Sequence, residues 1–337
     1  MQLEKKLERS PELYRNVRNQ IDEYQAKKYA HEATKEELRP ADPERTWYLP
    51  LNVVLNPKKP GKIRLIWDAA ATVQGISLNS MLLKGPDLLV PLMSVLLIFR
   101  ERRIAFGGDI REMYHQMEII AKDKSAQRFL FRNNRAEEPK VYVMDVATFG
   151  STCSPASAQY VKNRNAEEHA GRFPEAAAAI IKRHYVDDYF DSVDTVEEAV
   201  ERAKQVRIIH KQAGFDIRNW VSNSPEVLTA LGDAKAGGSV VFNQDKQEHN
   251  ERVLGISWEQ EADAFAFSVT SRPEMQAYFS GEKRPTKRIV LSCVMGFFDP
   301  LGLLSPFTIH GKMLVQHLWR SGCEWDQEID DCGWNLW

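Results

Sequence analysis

The sequence lacks the features of membrane, secreted and zinc-binding proteins. It has no run of about 18 apolar residues, which argues against a membrane-spanning helix. The first residues contain no apolar core of the kind found in signal peptides. The 4 cysteines are scattered without Cys-x-x-Cys spacing, which argues against zinc and indicates a reducing compartment. We therefore expect an intracellular protein with no membrane partner.

A strong net charge of either sign is also missing. The 45 Lys and Arg residues nearly balance the 47 Asp and Glu residues, and the formal net charge is −2. This excludes a basic coat for nucleic acid over the whole chain, so any such binding must come from local patches. A chain of 337 residues, 43% of them hydrophobic, is long enough for a globular protein. We expect roughly two or three lobes.

The most informative stretch is residues 184–191, which read His-Tyr-Val-Asp-Asp-Tyr-Phe-Asp. Short β-prone runs on either side of Asp187 and Asp188 predict a hairpin with both carboxylates at its turn. Adjacent carboxylates repel each other, so one would bind a proton in a cleft unless cations keep both ionised. Mg²⁺ prefers carboxylate, water and phosphate oxygens as ligands. An ordinary Asp-rich surface turn is the alternative interpretation.

The middle of the chain alternates between strand and helix patterns. This βαββαβ order predicts a ferredoxin-like sheet, in which the first and third strands are central neighbours. Asp109 lies on the first strand, so it should meet Asp187 and Asp188 at one edge of the sheet. The predicted segments are a strand over 104–119, a helix over 155–173, a hairpin over 181–193, a helix over 196–213 and a strand over 215–221.

Capping residues mark several helix ends. Ser10 and Ser154 each precede a proline and are expected to be N-caps. Asp194, with Glu three residues further on, resembles a capping box. Gly214 is expected to end the helix that begins after Asp194.

The flanking regions carry two groups of basic residues. Residues 47–67 predict a β-hairpin whose tip, residues 56–62, contains three lysines. Lys58 and Arg64 carry the charge that meets phosphate oxygens, although a solvated turn is the alternative. A second basic cluster, residues 283–288, precedes a helical region and is either a duplex-holding element or a solvated group of charges.

Three blocks together resemble the motifs of a reverse transcriptase: Asp109, residues 149–155 and residues 185–188. Their order, spacing and flanking residue types agree with that family. The sequences of further blocks are similar to those of polymerases of LTR retrotransposons of the Pao/BEL group. The resemblance covers roughly residues 40–325. The blocks with this closer similarity are residues 47–50, 149–151, 214–216 and 298–306.

The resemblance implies an α+β right-hand polymerase fold with fingers, palm and thumb, built on a ferredoxin-like βαββαβ palm. Residues 263–337 would form the thumb and the start of a connection, which we expect to be truncated. The other implied ranges are an N-terminal helical lead-in over 1–46, fingers over 47–85 and 121–150, and a palm over 86–120 and 151–262 that includes a primer-positioning hairpin.

The activity implied by the resemblance is RNA-directed and DNA-directed DNA synthesis with two Mg²⁺ ions, for which Mn²⁺ can substitute. The metal-binding carboxylates of the family fall on Asp109, Asp187 and Asp188, and the backbone carbonyl of Ile110 completes the metal shell. The ions would lie about 3.5–4 Å apart and stabilise charge on the attacked phosphate, one of them lowering the pKa of the primer 3′-OH. The displacement at the attacked phosphate would be in line, and the protein would take little part in covalent bonding.

The resemblance also implies substrate contacts. The ring of Tyr114 would block a ribose 2′-OH, although a core tyrosine is the alternative. Phe149 stands where retroviral enzymes commonly carry Gln. The implied nucleotide-binding positions are Lys58, Arg64, Glu112, Met113, Tyr114 and Phe149, with backbone amides acting at Glu112 and Met113. The implied primer and template positions are Gly150, Tyr185, Gly255 and Trp258.

One position departs from the family. Where a Lys often protonates pyrophosphate, this chain has Arg218 and Asn219. Arg stays protonated in proteins and is a poor acid, so this role is in doubt.

The implied partners are an RNA template, a DNA primer or duplex, and dNTPs. Protease, RNase H and integrase parts are expected elsewhere in the same polyprotein, because this chain has no Asp-Ser-Gly or Asp-Thr-Gly triplet and few residues after the thumb. The expected location is a cytoplasmic virus-like particle whose product enters the nucleus.

Two other functions stay open: a non-catalytic nucleic-acid-binding scaffold derived from a polymerase, and a Mg²⁺ phosphotransferase or cyclase on the same palm. Three uncompensated carboxylates argue against the scaffold. The fingers hairpin and the loop at Phe149 argue against the phosphotransferase or cyclase.

Overall fold

The chain divides into two compact units. The first comprises Met1–Pro91 and Ile98–Asp245, and the second comprises Leu92–Leu97 and Lys246–Trp337. Assignment of these parts to fingers, palm and thumb stays a prediction. The computed structural model describes residues 2–39, 45–55, 61–134, 136–232, 250–254, 256–267 and 275–337.

Helices and strands alternate along the described chain. The helices are α1 (Gln2–Glu8), α2 (Pro11–Ala26), α3 (Leu78–Met81), α4 (Leu92–Phe99), α5 (Ser154–His169), α6 (Pro174–Lys182), α7 (Val196–Gln212), α8 (Pro225–Ala230), α9 (Gln276–Phe279), α10 (Lys287–Val294), α11 (Ser305–Arg320) and α12 (Asp331–Leu336). The strands are β1 (Ala30–Glu32), β2 (Leu51–Leu55), β3 (Ile63–Trp67), β4 (Ile104–Ile110), β5 (Arg128–Phe131), β6 (Lys140–Met144), β7 (His184–Tyr185), β8 (Asp188–Val193), β9 (Ile217–Ser222), β10 (Asn250–Val253), β11 (Ile256–Glu259) and β12 (Ala264–Ala266). Among the described residues, no helix is both long and apolar enough to cross a membrane.

A four-stranded antiparallel sheet in the order β7-β8-β4-β9 forms the centre of the first unit. Strands β4 and β8 are central neighbours, as the βαββαβ order predicts. Close approach of β8 requires glycine in β4, because a Cβ at Gly107 would lie 2.5 Å from the carbonyl oxygen of Tyr189. Helices α6 and α7 contribute Ile180 and Val206 to the core beneath this sheet.

A second core in the first unit joins the N-terminal helix to the β2–β3 hairpin and the β1-β6-β5 sheet. Ser10 caps α2, as predicted, by accepting a hydrogen bond from the Leu13 amide at 3.3 Å. Val17 and Ile21 on α2 are fully buried, and they share the core with Trp67 of β3. The helical lead-in ends earlier than its predicted range, because Ala30–Glu32 forms a strand that pairs with β6.

Two predicted strand boundaries were wrong. The strand predicted over 104–119 ends at Ile110, because Glu112 adopts a left-handed φ of 48° and a 3₁₀ helix follows over Met113–Gln116. The hairpin predicted over 181–193 begins later, because α6 extends to Lys182 before β7 starts. At the second boundary the apolar run over 176–181 suited either conformation, and periodicity did not separate them.

Two predicted caps were also wrong by one residue. Cys153 occupies the N-cap position of α5, because the Ser154 hydroxyl instead donates to the carbonyl of Thr148 at 2.9 Å. Thr195, rather than Asp194, caps α7 and forms a capping box with Glu198. Gly214 follows the C-cap of α7 with a φ of 77°, as predicted.

In the second unit, α10, α11 and α12 pack around a small apolar core, and β10, β11 and β12 form an antiparallel sheet. The basic cluster before α10 is used within the unit. Arg284 pairs with Asp331 at 2.8 Å, and Arg288 pairs with Asp326 at 2.7 Å. Lys287 is buried and lies 3.6 Å from the Trp319 ring centroid. These ion pairs lie within the unit, and the duplex-holding role of the cluster stays a prediction.

Candidate active site

Three carboxylates lie together where β4 and β8 pair. Asp109 and Asp188 are directly opposite in the ladder, which places their Cα atoms about 4.5–5.5 Å apart. The Ile110 amide donates to the carbonyl oxygen of Asp187 at 2.9 Å. Residues distant in sequence therefore form a single acidic cluster.

The cluster raises the pKa values of Asp187 and Asp188. Burial, followed by the charges of Asp187 and Asp109, raises the pKa of Asp188 to about 7. Burial and Asp109 also raise the pKa of Asp187, against an opposing effect of Arg64. Without a cation, the group therefore retains a proton near neutral pH. A divalent cation is the partner that would keep all three ionised.

The turn that carries Asp187 is strained. Tyr185 pairs with Asp188, so Val186 and Asp187 form the turn between β7 and β8. Val186 has a φ of 57°, a conformation that β-branched residues rarely adopt. The side-chain amide of Gln159 on α5 donates to the Val186 carbonyl at 2.9 Å and holds this turn. The role of Gln159 was not predicted from the sequence, where it is a polar residue among small residues of a helix.

Asp109 has partners on β9. Asn219 Nδ2 donates to Asp109 Oδ1 at 2.6 Å, and Arg218 Nε lies 3.8 Å from Oδ2. Within the described ranges, no three Asp, Glu, His or Cys side chains are already arranged to hold a metal ion. The clustered carboxylate oxygens nevertheless suit Mg²⁺ chemically. The positions of Arg218 and Asn219 against Asp109 were not predicted.

The backbone after β4 turns through a left-handed residue. Glu112 has φ and ψ of 48° and 42°, and Met113 begins the 3₁₀ helix. A left-handed residue followed by a right-handed one directs successive amides into one concavity, called a nest, which favours anions. Among the described residues, the Glu112 and Met113 amides have no backbone acceptor. The predicted amide contacts with a triphosphate fall on this nest.

An aromatic and cationic wall adjoins the carboxylates. The Tyr114 and Phe149 ring centroids are 4.9 Å apart, and the Arg64 guanidinium lies 5.7 Å from the Phe149 centroid. Burial, followed by the charge of Asp187, raises the pKa of Tyr114. Tyr114 is half-buried and packs against the core that contains Ile110 and Phe215, so its substrate role stays a prediction.

The loop after Phe149 is held by neighbours that the sequence did not reveal. Gly150 has a φ of 112° and lies against the Trp67 carbonyl. Asn79 Nδ2 donates to the Gly150 carbonyl at 3.0 Å, and Asn79 Oδ1 accepts from the Thr152 amide at 2.8 Å. Asn79 thus ties this loop to α3.

The predicted site positions not yet described are Tyr185, Trp258, Lys58 and Gly255. Tyr185 is half-buried and is paired with Asp188. Trp258 is buried in the second unit, where its indole N–H donates to Asp263 at 3.2 Å. Lys58 and Gly255 lie outside the described residues.

Asp188→Asn should stabilise the metal-free protein at pH 8 by about 1–2 kcal/mol. The folded-state pKa of about 7 exceeds the ordinary value of 3.8. The folded state therefore binds this proton more tightly, and its contribution to stability is lost as pH rises through 7. Denaturant titrations in EDTA should show the gain at pH 8 and a much smaller gain at pH 5. Equal stability of variant and wild type at both pH values would contradict the raised pKa.

Comparison by sequence gives one family. Residues 286–337 match the family described as Pao retrotransposon-like RNaseH-like domain. These residues contain α10, α11 and α12, for which the sequence predicted a thumb and the start of a connection, with no RNase H in the chain. The family description differs from that prediction. No curated protein matches the chain.

Comparison by structure gives foamy viral proteins. The foamy viral protease-reverse transcriptase in complex with double-stranded DNA has a TM-score of 0.58 at 14% identity, covering 95% of this chain and 46% of that chain. The same protein in complex with an RNA/DNA hybrid has a TM-score of 0.57 at 13% identity, covering 96% and 36%. The chain thus spans less than half the length of these relatives, and the likeness shows a shared mixed α/β fold.

Proposed function

We propose that this chain is the reverse transcriptase part of a Pol polyprotein from an LTR retrotransposon of the Pao/BEL group. It would transfer nucleotides from dNTPs to a primer 3′-OH on an RNA or DNA template. The observation that carries the proposal is the acidic cluster of Asp109, Asp187 and Asp188 on β4 and the β7–β8 turn. Foamy viral proteins of similar fold were solved with double-stranded DNA and with an RNA/DNA hybrid, which supports nucleic-acid partners here.

In this proposal the three Asp carboxylates and the Ile110 carbonyl hold two Mg²⁺ ions. Mg²⁺, when bound, supplies charge stabilisation and a lower pKa for the attacking hydroxyl. Asp109, which accepts a hydrogen bond from Asn219 in the metal-free protein, would supply a carboxylate oxygen as a ligand. The amides of the Glu112–Met113 nest and the Arg64 guanidinium hold the phosphates of the nucleotide.

The right-hand arrangement is part of the same proposal. The β7-β8-β4-β9 sheet is the palm, and the β2–β3 hairpin with the β1-β6-β5 sheet forms the fingers. Protease, RNase H and integrase activities belong to other parts of the polyprotein.

Primer extension tests the proposal. Purified protein should extend oligo(dT) on poly(rA) with dTTP and Mg²⁺, and EDTA should stop the reaction. Folded protein that binds primer–template but never extends it would favour the non-catalytic scaffold. Turnover of a nucleoside triphosphate without any primer would favour the phosphotransferase or cyclase.

Tyr114→Val should raise the use of UTP relative to dTTP by about 10–100-fold. The proposed reason is that the Tyr114 ring, packed on Phe149, occupies the space of a ribose 2′-OH. The measurement is kcat/KM for both nucleotides on one primer–template. Tyr160→Val is the control, because Tyr160 is 62% exposed on α5 and should leave the ratio unchanged. An unchanged ratio in Tyr114→Val would remove Tyr114 from this role.

A further inference from the structure

The side chain of Glu112 is held by two residues from the segment that links α2 to β1. Lys27 Nζ donates to both carboxylate oxygens of Glu112, at 2.9 and 3.0 Å. The Tyr29 hydroxyl donates to Glu112 Oε2 at 3.0 Å and accepts from Gln116 Nε2 at 2.8 Å. Between them, Lys28 adopts a φ of 60°. The turn after α2 therefore brings both Lys27 and Tyr29 to Glu112.

The position of this carboxylate is unusual for a residue in an anion-binding turn. Glu112 supplies the left-handed residue of the nest, yet its own side chain is an anion. An unpaired carboxylate charge at this turn would repel a phosphate group.

Lys27 is the main cation that offsets this charge. Its side chain is only 23% exposed and lies within hydrogen-bond distance of Glu112. Arg111 is more distant, with Nε 3.8 Å from Glu112 Oε2, and it is 41% exposed. Lys27 also pairs with Glu23 at 2.6 Å, which fixes the ammonium group on α2. A partly buried, charge-assisted contact of this kind is stronger than a fully exposed one.

We propose that Lys27 and Tyr29 are positioning residues for the triphosphate site. They hold the Glu112 carboxylate by hydrogen bonds and neutralise it, so that the free amides donate hydrogen bonds to the phosphates of the incoming dNTP. This inference rests on the proposed function and assigns to the N-terminal segment a role in nucleotide affinity.

Steady-state kinetics of Lys27→Met provide the first test. The KM for dTTP should rise about tenfold while kcat changes by less than about twofold, because only the electrostatics of nucleotide binding are altered. The double variant Lys27→Met/Glu112→Gln should return KM to within about threefold of wild type, because it removes the unpaired charge. Tyr29→Phe should give a smaller rise in KM. A merely structural contact would lower kcat and thermal stability, and the second substitution would not rescue KM.

Lys124→Met is the matched control. Lys124 is 21% exposed and pairs with Asp145 at 2.9 Å, so the substitution removes a similar ion pair at another place in the same unit. Its KM for dTTP should equal that of wild type. An equal rise in KM for Lys124→Met and Lys27→Met would overturn the proposal.

Binding of inorganic tripolyphosphate, measured by calorimetry without metal or nucleic acid, separates this inference from the proposed function. Lys27→Met should bind tripolyphosphate about tenfold more weakly than wild type, and the double variant should recover. Equal affinity of wild type and Lys27→Met would overturn the positioning role even if primers are extended. If wild type never extends a primer but Lys27→Met shows the weaker binding, only the polymerase proposal fails.

Discussion

Asp187→Asn should lower the rate of primer extension by about 1,000-fold or more. Asp187 lies at the turn between β7 and β8, within the acidic cluster that also contains Asp109 and Asp188. The asparagine amide keeps the shape of the side chain but removes the charge that would hold a metal ion. The protein should stay folded, because neutralising one of three clustered carboxylates relieves repulsion. Single-nucleotide incorporation measures the extension rate, and thermal unfolding shows whether the protein is folded. Fluorescence anisotropy with labelled primer–template measures template binding.

Asp194→Asn is the control for this experiment. Asp194 lies just after β8, is 61% exposed and pairs with Arg102 at 2.9 Å. Its substitution should leave extension within about twofold of wild type, because exposed ion pairs contribute little. Asp187→Asn that keeps more than about a tenth of wild-type activity would show that this carboxylate does not hold a catalytic metal.

Gly150→Ala should destabilise the protein by about 4 kcal/mol or more, or prevent folding. A Cβ at this position would lie 2.1 Å from the carbonyl oxygen of Trp67, and the φ of 112° is a conformation for glycine. Trp67 is fully buried in the core shared by α2 and β3, so its backbone cannot move away cheaply. Denaturant unfolding, or the soluble yield if no folded protein forms, measures the effect.

Gly171→Ala provides the matched comparison. No atom lies within 4 Å of a Cβ built on Gly171, and its φ is not left-handed. The free energy of unfolding should change by less than about 1 kcal/mol, with a slight gain expected from a less flexible unfolded chain. If Gly150→Ala were as stable as Gly171→Ala, the close packing of the Phe149–Gly150 loop on Trp67 would be wrong.

Much of the candidate site followed from the sequence because topology brought its parts together. Once β4 and β8 are central neighbours, Asp109 and Asp188 must lie close, whatever the side chains around them do. The left-handed turn at Glu112 had no such signal, since glycine or asparagine is the usual residue there. The ion pairs of residues 283–288 had no such signal either. Their acidic partners, Asp326 and Asp331, follow many residues later, and nothing in the local pattern points to them.

The sequence by itself determined the buried face of α2, the order of the helices and strands around the central sheet and the neighbours in that sheet. Apolar periodicity and turn residues specify these features locally, and burial of apolar surface enforces them. Only the tertiary structure decided which polar groups meet: Asn219 on Asp109, Gln159 on Val186, and Lys27 on Glu112. Each such contact contributes only about 1 kcal/mol net to the stability of the fold and produces no periodic pattern in the sequence. Its formation therefore depends on where packing places the two residues.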